Sequence, residues 1–559
     1  MDLRRTSSTP KPRPFGSTSP SQPAAGRLNL VRKGPIAHPV DLSFKSVRLP
    51  LAALVSALAA FVALQVRAYR VAGAFEYPLD DPYIHLAMAE QIRRGGYGVN
   101  AGEFAAASSS PLFPFLLAPL TDTPFARFLP LGLNLVGLVL AAWVWGRILD
   151  QVGYREMTSG LVLSVVGPLA LNFAGVAFTG MEHSLHLAAT LAIVSGLITF
   201  LDERHVGRML IAGVVLSPLL RFEGLALALA AAVVVLAGRS ARAGAGLILA
   251  AVAPVGGFAL WLMALGLEPL PSSVTAKLST SDSGPAGYVT SKLLQLAGSS
   301  AAFAFVALVL VLAMSMRWTT AYRPLVLAVG AASGAHLVLG RFGWMNRYEI
   351  YILAALAATV AAVSVNVRIS GRALAMTLLF AAFVYVPPQV LAYDDATFPV
   401  LLQHGEMTRF AHDHLAQPVA VNDLGKVAFQ NPDYVVDLWG LANRDALRFR
   451  LDGATPGWAN TVTDAHDAKV AMVYDDWFGD DLADEWQLLG QLSLKVDKGQ
   501  VARDTVSFYL TDPDDAAPYV AMLEAWATDL PEHADFAFAV AADFDTSAPD
   551  QLAAVDEAN

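Results

Sequence analysis

Apolar runs recur along most of the chain, at about 49–67, 126–149, 158–177, 183–201, 208–220, 223–238, 244–265, 293–315, 322–340, 349–367 and 372–391. A run of about 20 apolar residues suffices to cross a hydrocarbon core as a helix. The pattern therefore predicts a polytopic α-helical membrane domain over residues 49–391, with about 11 transmembrane helices. The pair around Arg221-Phe-Glu-Gly224 is the least regular: it reads as a broken hairpin or as one long helix carrying a charged pair.

Two flanking regions differ. Residues 1–48 are rich in Ser, Pro and Arg, lack any apolar period and read as a disordered basic tail. From about 392 the pattern turns to short strands and helices. Gln417–Asn422, Lys426–Phe429, Tyr434–Asp437 and Lys469–Tyr474 read as strands. Glu406–Leu415 and Tyr519–Leu530 read as helices, which predicts a small α/β domain over 392–545, followed by a disordered end at 546–559.

Charge fixes the expected orientation. From Leu391 onward there are 31 acidic and 9 basic residues, against 17 acidic and 29 basic before it. Basic flanks stay in the cytoplasm. The basic N-terminus is therefore expected inside, and alternation then puts Arg147–Arg155, Arg204–Arg208, Arg239–Arg242, Arg317–Arg323 and Arg368–Arg372 on the same side. Each of these loops carries arginine. The tail domain of this multi-pass membrane protein is expected outside. Its acidity argues against a nucleic-acid partner. The chain has no cysteine, which excludes disulfides and thiolate metal sites.

The unusual charges collect on the outward side. The first outer loop opens with Tyr77-Pro-Leu-Asp-Asp-Pro-Tyr-Ile-His85. Asp81 before Pro82 suits a helix start. Ile84, Met88 and Ile92 then fall on one face before Gly95-Gly96, which predicts an amphipathic helix on the membrane surface. Capping accounts for Asp81 and leaves Asp80 without a structural task. Asp80 is thus the favoured general base and Asp81 its partner or the cap; the pair could also hold a divalent cation.

Further along, Glu182 and His183 lie at the end of a span, where an acid could also serve the helix dipole. Arg221 and Glu223 could simply pair. Pro271–Lys277 brings Lys277 to an outer loop, and Gly340–Tyr348 brings Arg341, Arg347 and Tyr348 to the next. Arginine suits phosphate because its planar fork donates two parallel hydrogen bonds; headgroup anchoring with Trp344 and Tyr348 is the plainer reading. Together these residues describe a pocket with acids near one end and cations near the other.

Five local patterns carry a resemblance. They are Asp80-Asp-Pro-Tyr-Ile84 running on through Asn100-Ala-Gly-Glu103 to Ser109-Ser-Pro-Leu112; Thr179-Gly-Met-Glu182; Arg221-Phe-Glu-Gly224; Pro271-Ser-Ser-Val-Thr-Ala-Lys277; and Asn422-Asp-Leu-Gly425 with Val436-Asp-Leu-Trp-Gly-Leu441. In this order the chain resembles the GT-C membrane glycosyltransferases, in particular the bacterial branch that includes the mycobacterial arabinofuranosyltransferase-like proteins. The resemblance implies a polyprenyl-phosphate sugar donor, an envelope glycan or glycolipid acceptor and an outward-facing, periplasmic active site. It implies catalytic roles for Asp80, Asp81 and Glu182. Substrate contacts are expected from Tyr83, His85, His183, Arg221, Glu223, Lys277, Arg341, Arg347 and Tyr348. A transporter or flippase for a lipid-linked sugar is the rival reading. It would place charges at the bilayer midplane on broken helices within repeated halves, and no such repeat stands out.

Overall fold

The computed structural model describes residues 47–539, apart from 279–289, 366–377, 379–391 and scattered single positions or pairs. The basic N-terminal tail, the end at 546–559 and the expected span at 372–391 lie outside the described residues.

The first part is a helical bundle. α1 (Arg48–Ala72) packs on α4 (Leu129–Gln151) and on α5 (Thr158–Ala170), with α2 (Asp81–Arg93) and α3 (Phe113–Leu117) in the connection between α1 and α4. α6 (Phe173–Phe178), α7 (His183–Glu203), α8 (Arg208–Leu220), α9 (Gly224–Ala237) and α10 (Ala241–Ala264) follow. Then come α11 (Ser272–Leu278), α12 (Ser300–Ser315), α13 (Arg323–Leu339) and α14 (Ile350–Ser364). Among the described residues, five stretches are long and apolar enough to cross a membrane: Arg48–Ala72, Ala126–Gln151, Thr158–Phe178, His183–Glu203 and Ala241–Ala264. Shorter apolar helices cover 208–220, 224–237, 301–315, 323–339 and 350–364. The ambiguous pair resolves into two helices that pack on each other, with Arg221 extended between them. The run 158–177 is broken at Asn172, whose φ of 51° is a left-handed conformation that asparagine tolerates.

The second part is the tail domain. It opens with a helix over 396–409 that continues into a π-helical turn at Phe410–Leu415. β1 (Val419–Val421), β2 (Val435–Asp437) and β3 (Val470–Val473) are parallel; β4 (Gln487–Leu494), β5 (Thr505–Leu510) and β6 (Ala534–Phe538) are antiparallel additions, in the sheet order β2-β1-β3-β5-β4-β6. The strand expected at Lys426–Phe429 is instead a short helix, α15 (Gly425–Ala428). The remaining helices are α16 (Arg444–Asp452), α17 (Trp458–Asp464), α18 (Asp475–Phe478) and α19 (Ala517–Ala527).

The two parts share a core. α2 does not lie on a lipid surface: every residue from Pro82 to Gln91 is buried. Ile84, Ala87 and Met88 pack with Phe410, Val421, Leu424 and Val427 of the tail domain. Tyr83, Leu86 and Ala89 pack with Tyr77, Phe113 and Phe429. The helix is apolar on two faces because two bodies cover it, which the spacing of Ile84, Met88 and Ile92 alone does not show.

Trp526 is fully buried among Phe410, Phe508 and Phe536, with ring centroids 5.2–5.5 Å apart. Truncating a buried tryptophan costs about 3–5 kcal/mol. Trp526→Ala should therefore make the tail domain of the full-length protein protease-sensitive well below the wild-type temperature. A wild-type digestion profile would contradict this packing.

Candidate active site

The acidic pair divides its labour. Asp80 occupies the cap position of α2, yet its carboxylate makes no capping bond there. It reaches across to α15 instead and accepts from the backbone N–H of Gly425 (2.6 Å) and of Lys426 (2.8 Å). Glycine is required at 425, since a Cβ there would sit 2.4 Å from the Asp80 carbonyl oxygen. His404 lies between two carboxylates, 3.3 Å from Asp80 and 3.5 Å from Asp423, as ion-pair contacts rather than aligned hydrogen bonds. Burial alone would push its imidazole down, but Asp423 and Asp80 outweigh it and raise it to about 10.

Glu76 completes this junction. Its buried carboxylate pairs with Lys426, accepts from the Tyr83 hydroxyl and lies 3.8 Å from Arg127. So Asp80, expected to have no structural task, joins the first loop to the tail domain. Tyr83, expected at the substrate, belongs to the same joint.

Asp81 faces elsewhere. Its side chain is 32 % exposed and meets Arg347 at 3.3 Å. Arg347 is buried, donates to the Tyr348 hydroxyl at 3.2 Å and leaves its Nε without a partner. The Arg221 and Arg347 guanidiniums lie 5.6 and 5.1 Å from the Tyr348 ring centre. Arg221 is held by Glu182 at 2.8 Å and by Glu223 at 2.7 Å, so the expected pairing of Arg221 with Glu223 is present but shared. Glu182 also meets His85 at 3.4 Å and accepts from Ser109. His183 packs against Tyr348, with both ring nitrogens buried and unpartnered. Asp81, Glu182, His85, His183, Arg221, Glu223, Arg347 and Tyr348 are thus one connected group.

Backbone strain presents Arg347. Gly343, Trp344, Met345 and Asn346 are all left-handed, with φ from 48° to 91°. Such residues cost about 1–2 kcal/mol each outside glycine and persist where the surroundings over-determine them. Here Glu349 accepts from the Gly343 N–H and the Asn346 amide, and Tyr393 donates to the Met345 carbonyl.

Besides Asp80 and Tyr83, the expected Arg341 is not in the group. Arg341 sits at the other end of this loop, near Lys292 and His336. The backbone of Lys277 is in α11, and its side chain lies outside the described residues. Sequence reasoning missed Glu76, Ser109, His404, Asp423 and Lys426. Of these, Asp423 and the Ser109 run stood within quoted patterns, whereas Glu76 stood one position before one.

The residues do not fit a metal ion held by the acidic pair, because Asp80 is turned onto backbone N–H groups and Asp81 onto a guanidinium. Among the described residues no group of three or more His, Asp or Glu is placed to hold one. A groove of about 590 Å³ between α1 and α5, lined by Leu51, Val55, Ser56, Val165 and Leu169, is apolar and lies away from these charges.

The His404 contact makes the junction pH-dependent. The folded imidazole keeps its proton to about 10, the unfolded one to about 6.5. Its stabilisation is therefore full below pH 6.5 and is lost as pH rises through 10. Tail-domain melting in the full chain should fall across this window, and His404→Gln should flatten that slope. Equal slopes in both proteins would contradict a charged bridge.

Residues 396–509 match the model of a domain of unknown function (DUF8728), which covers the tail domain from its first helix into β5. No curated protein matches the chain.

Proposed function

We propose that this chain is a GT-C-type membrane glycosyltransferase, moving a sugar from a polyprenyl-phosphate donor to an envelope glycan or glycolipid on the outer face of a bacterial cytoplasmic membrane. The supporting observation is a partly exposed carboxylate, Asp81, opposed by a buried arginine at the end of an apolar helical bundle. General base and phosphate binder are then neighbours.

In this reading the acceptor hydroxyl gives its proton to Asp81 as its oxygen attacks the anomeric carbon. The bond from that carbon to the phosphate oxygen breaks, the configuration inverts and polyprenyl phosphate leaves. Arg347 receives the phosphate, with its unpartnered Nε as one donor. Tyr348 holds Arg347 in place; Glu182 and Glu223 neutralise Arg221. A lipid-linked donor also suits an outward site, where nucleotide sugars are absent. Asp80 acts through Asp81 by anchoring the start of α2.

Purified protein incubated with a panel of polyprenyl-phosphate sugars should hydrolyse or transfer at least one; complete inertness across the panel would overturn the reading. General base catalysis is worth about 10²–10⁴ in rate, so Asp81→Asn should lose at least a hundredfold in kcat with donor binding retained. Asp80→Asn keeps an acceptor for one of the Gly425 and Lys426 N–H groups and turns an NH₂ towards the other. It should lose stability more than turnover. Inactive Asp80→Asn with active Asp81→Asn would reverse the two roles. For topology, a reporter fused after Asp395 should be active only when exported, and cytoplasmic activity would move the site to the wrong side.

A further inference from the structure

In the tail sheet the parallel strand β1 lies between β2 and β3. The chain leaves β1 for β2 on one side, then crosses to β3 on the other. In open sheets of this kind, ligands bind outside the carboxyl ends of the strands where the connections diverge. The residues there are Asn422 and Asp423 after β1, Trp439 beyond β2, and Tyr474 to Trp477 after β3.

Asn422 bridges the diverging strands: its Oδ1 accepts from the Tyr474 backbone N–H at 2.9 Å. It is 3 % exposed, and its Nδ2 has no partner. A buried donor left unmet costs about 1–3 kcal/mol, so its retention points to a ligand acceptor. Trp477 stands at the same edge, 5.1 Å from the Tyr474 ring and 4.4 Å from Trp439, and both indoles are half-buried. Asp437 turns the chain towards Trp439 by accepting from the N–H groups of Trp439, Gly440 and Ala442. Arg450 stacks on Trp439 at 3.6 Å and fixes its ring. Asp423 is 23 % exposed and shares His404 with Asp80, so this edge adjoins the start of α2 and hence Asp81.

We propose that the carboxyl edge of β1–β3 is the acceptor subsite and that it takes a neutral sugar. A sugar hydroxyl both donates and accepts, which matches a carboxylate beside an amide NH₂. The apolar face of a pyranose or furanose ring suits an indole. Asp423, Asp475 and Asp476 at the same edge, in a region with 31 acids and 9 bases, disfavour an anionic acceptor. The proposal rests on the transferase reading but is tested apart from it.

Saturation-transfer difference NMR on the full chain, without donor, would use methyl pentosides, methyl hexosides and their disaccharides as probes. Wild type should give a saturable signal. Trp477→Ala removes the ring; Asn422→Asp keeps the oxygen that receives the Tyr474 N–H and removes the unmet donor. Each should cut the signal at least fivefold at wild-type melting temperature. In a transfer assay the same variants should raise the acceptor KM at least tenfold and leave the donor KM unmoved. No wild-type binding of any probe, or undiminished binding by folded variants, overturns the subsite. Wild-type sugar binding that these variants abolish, with no donor consumed from the panel, keeps the sugar site and overturns the transferase reading instead.

Discussion

One carboxylate holds the arrangement together. Asp80 receives two backbone N–H groups from a segment 345 residues further along the chain. Hydrogen bonds to an ionised acceptor are about twice as strong as neutral ones, and the two donors cannot rotate away, because both are main chain. The close approach leaves no room for a Cβ at Gly425. Once this contact forms, the start of α2 is fixed against the tail domain, and Asp81, the next residue, can only point back towards the helical bundle. The side chains of an adjacent acidic pair thereby acquire separate surroundings.

Burial of charge follows the same logic at two places. Glu76 with Lys426 and Arg127 seals the joint, and Glu182 with Arg221 and Glu223 lies beneath the site. Breaking a buried pair typically costs about 3–5 kcal/mol because one charge is left uncompensated. Arg347 reaches both Asp81 oxygens through contacts of 3.3–3.4 Å. Its buried Nε has no hydrogen-bond partner.

Local pattern made much of this legible. Apolar helices such as 208–220 and 323–339 stand out because an apolar run needs no distant partner to be recognised. The parallel strands β1, β2 and β3 were equally clear from short apolar runs. The misreadings share a cause: the deciding partner is remote in sequence. Lys426–Phe429 looks like a strand until Asp80 caps it, and α2 looks amphipathic although the tail domain covers its Ile84 and Met88 face while Tyr77 and Phe113 help cover its Tyr83 and Leu86 face. β4, with few β-branched residues in Gln487–Leu494, gives little propensity signal. β5, with Thr505-Val-Ser-Phe-Tyr, carries a clear strand propensity. At the site, residue types pointed to Arg347 and Arg221 alike, but only geometry separates Arg347 from Arg341 and sets Asp81, rather than Asp80, against Arg347.

Amide hydrogen exchange at Gly425 and Lys426 in the full chain tests the central contact most directly. With Asp80 in place both amides should be strongly protected, and Asp80→Ala should expose both selectively while amides within β3 stay protected. Unchanged protection at Gly425 and Lys426 in that variant would show that the Asp80 carboxylate does not hold the two parts together.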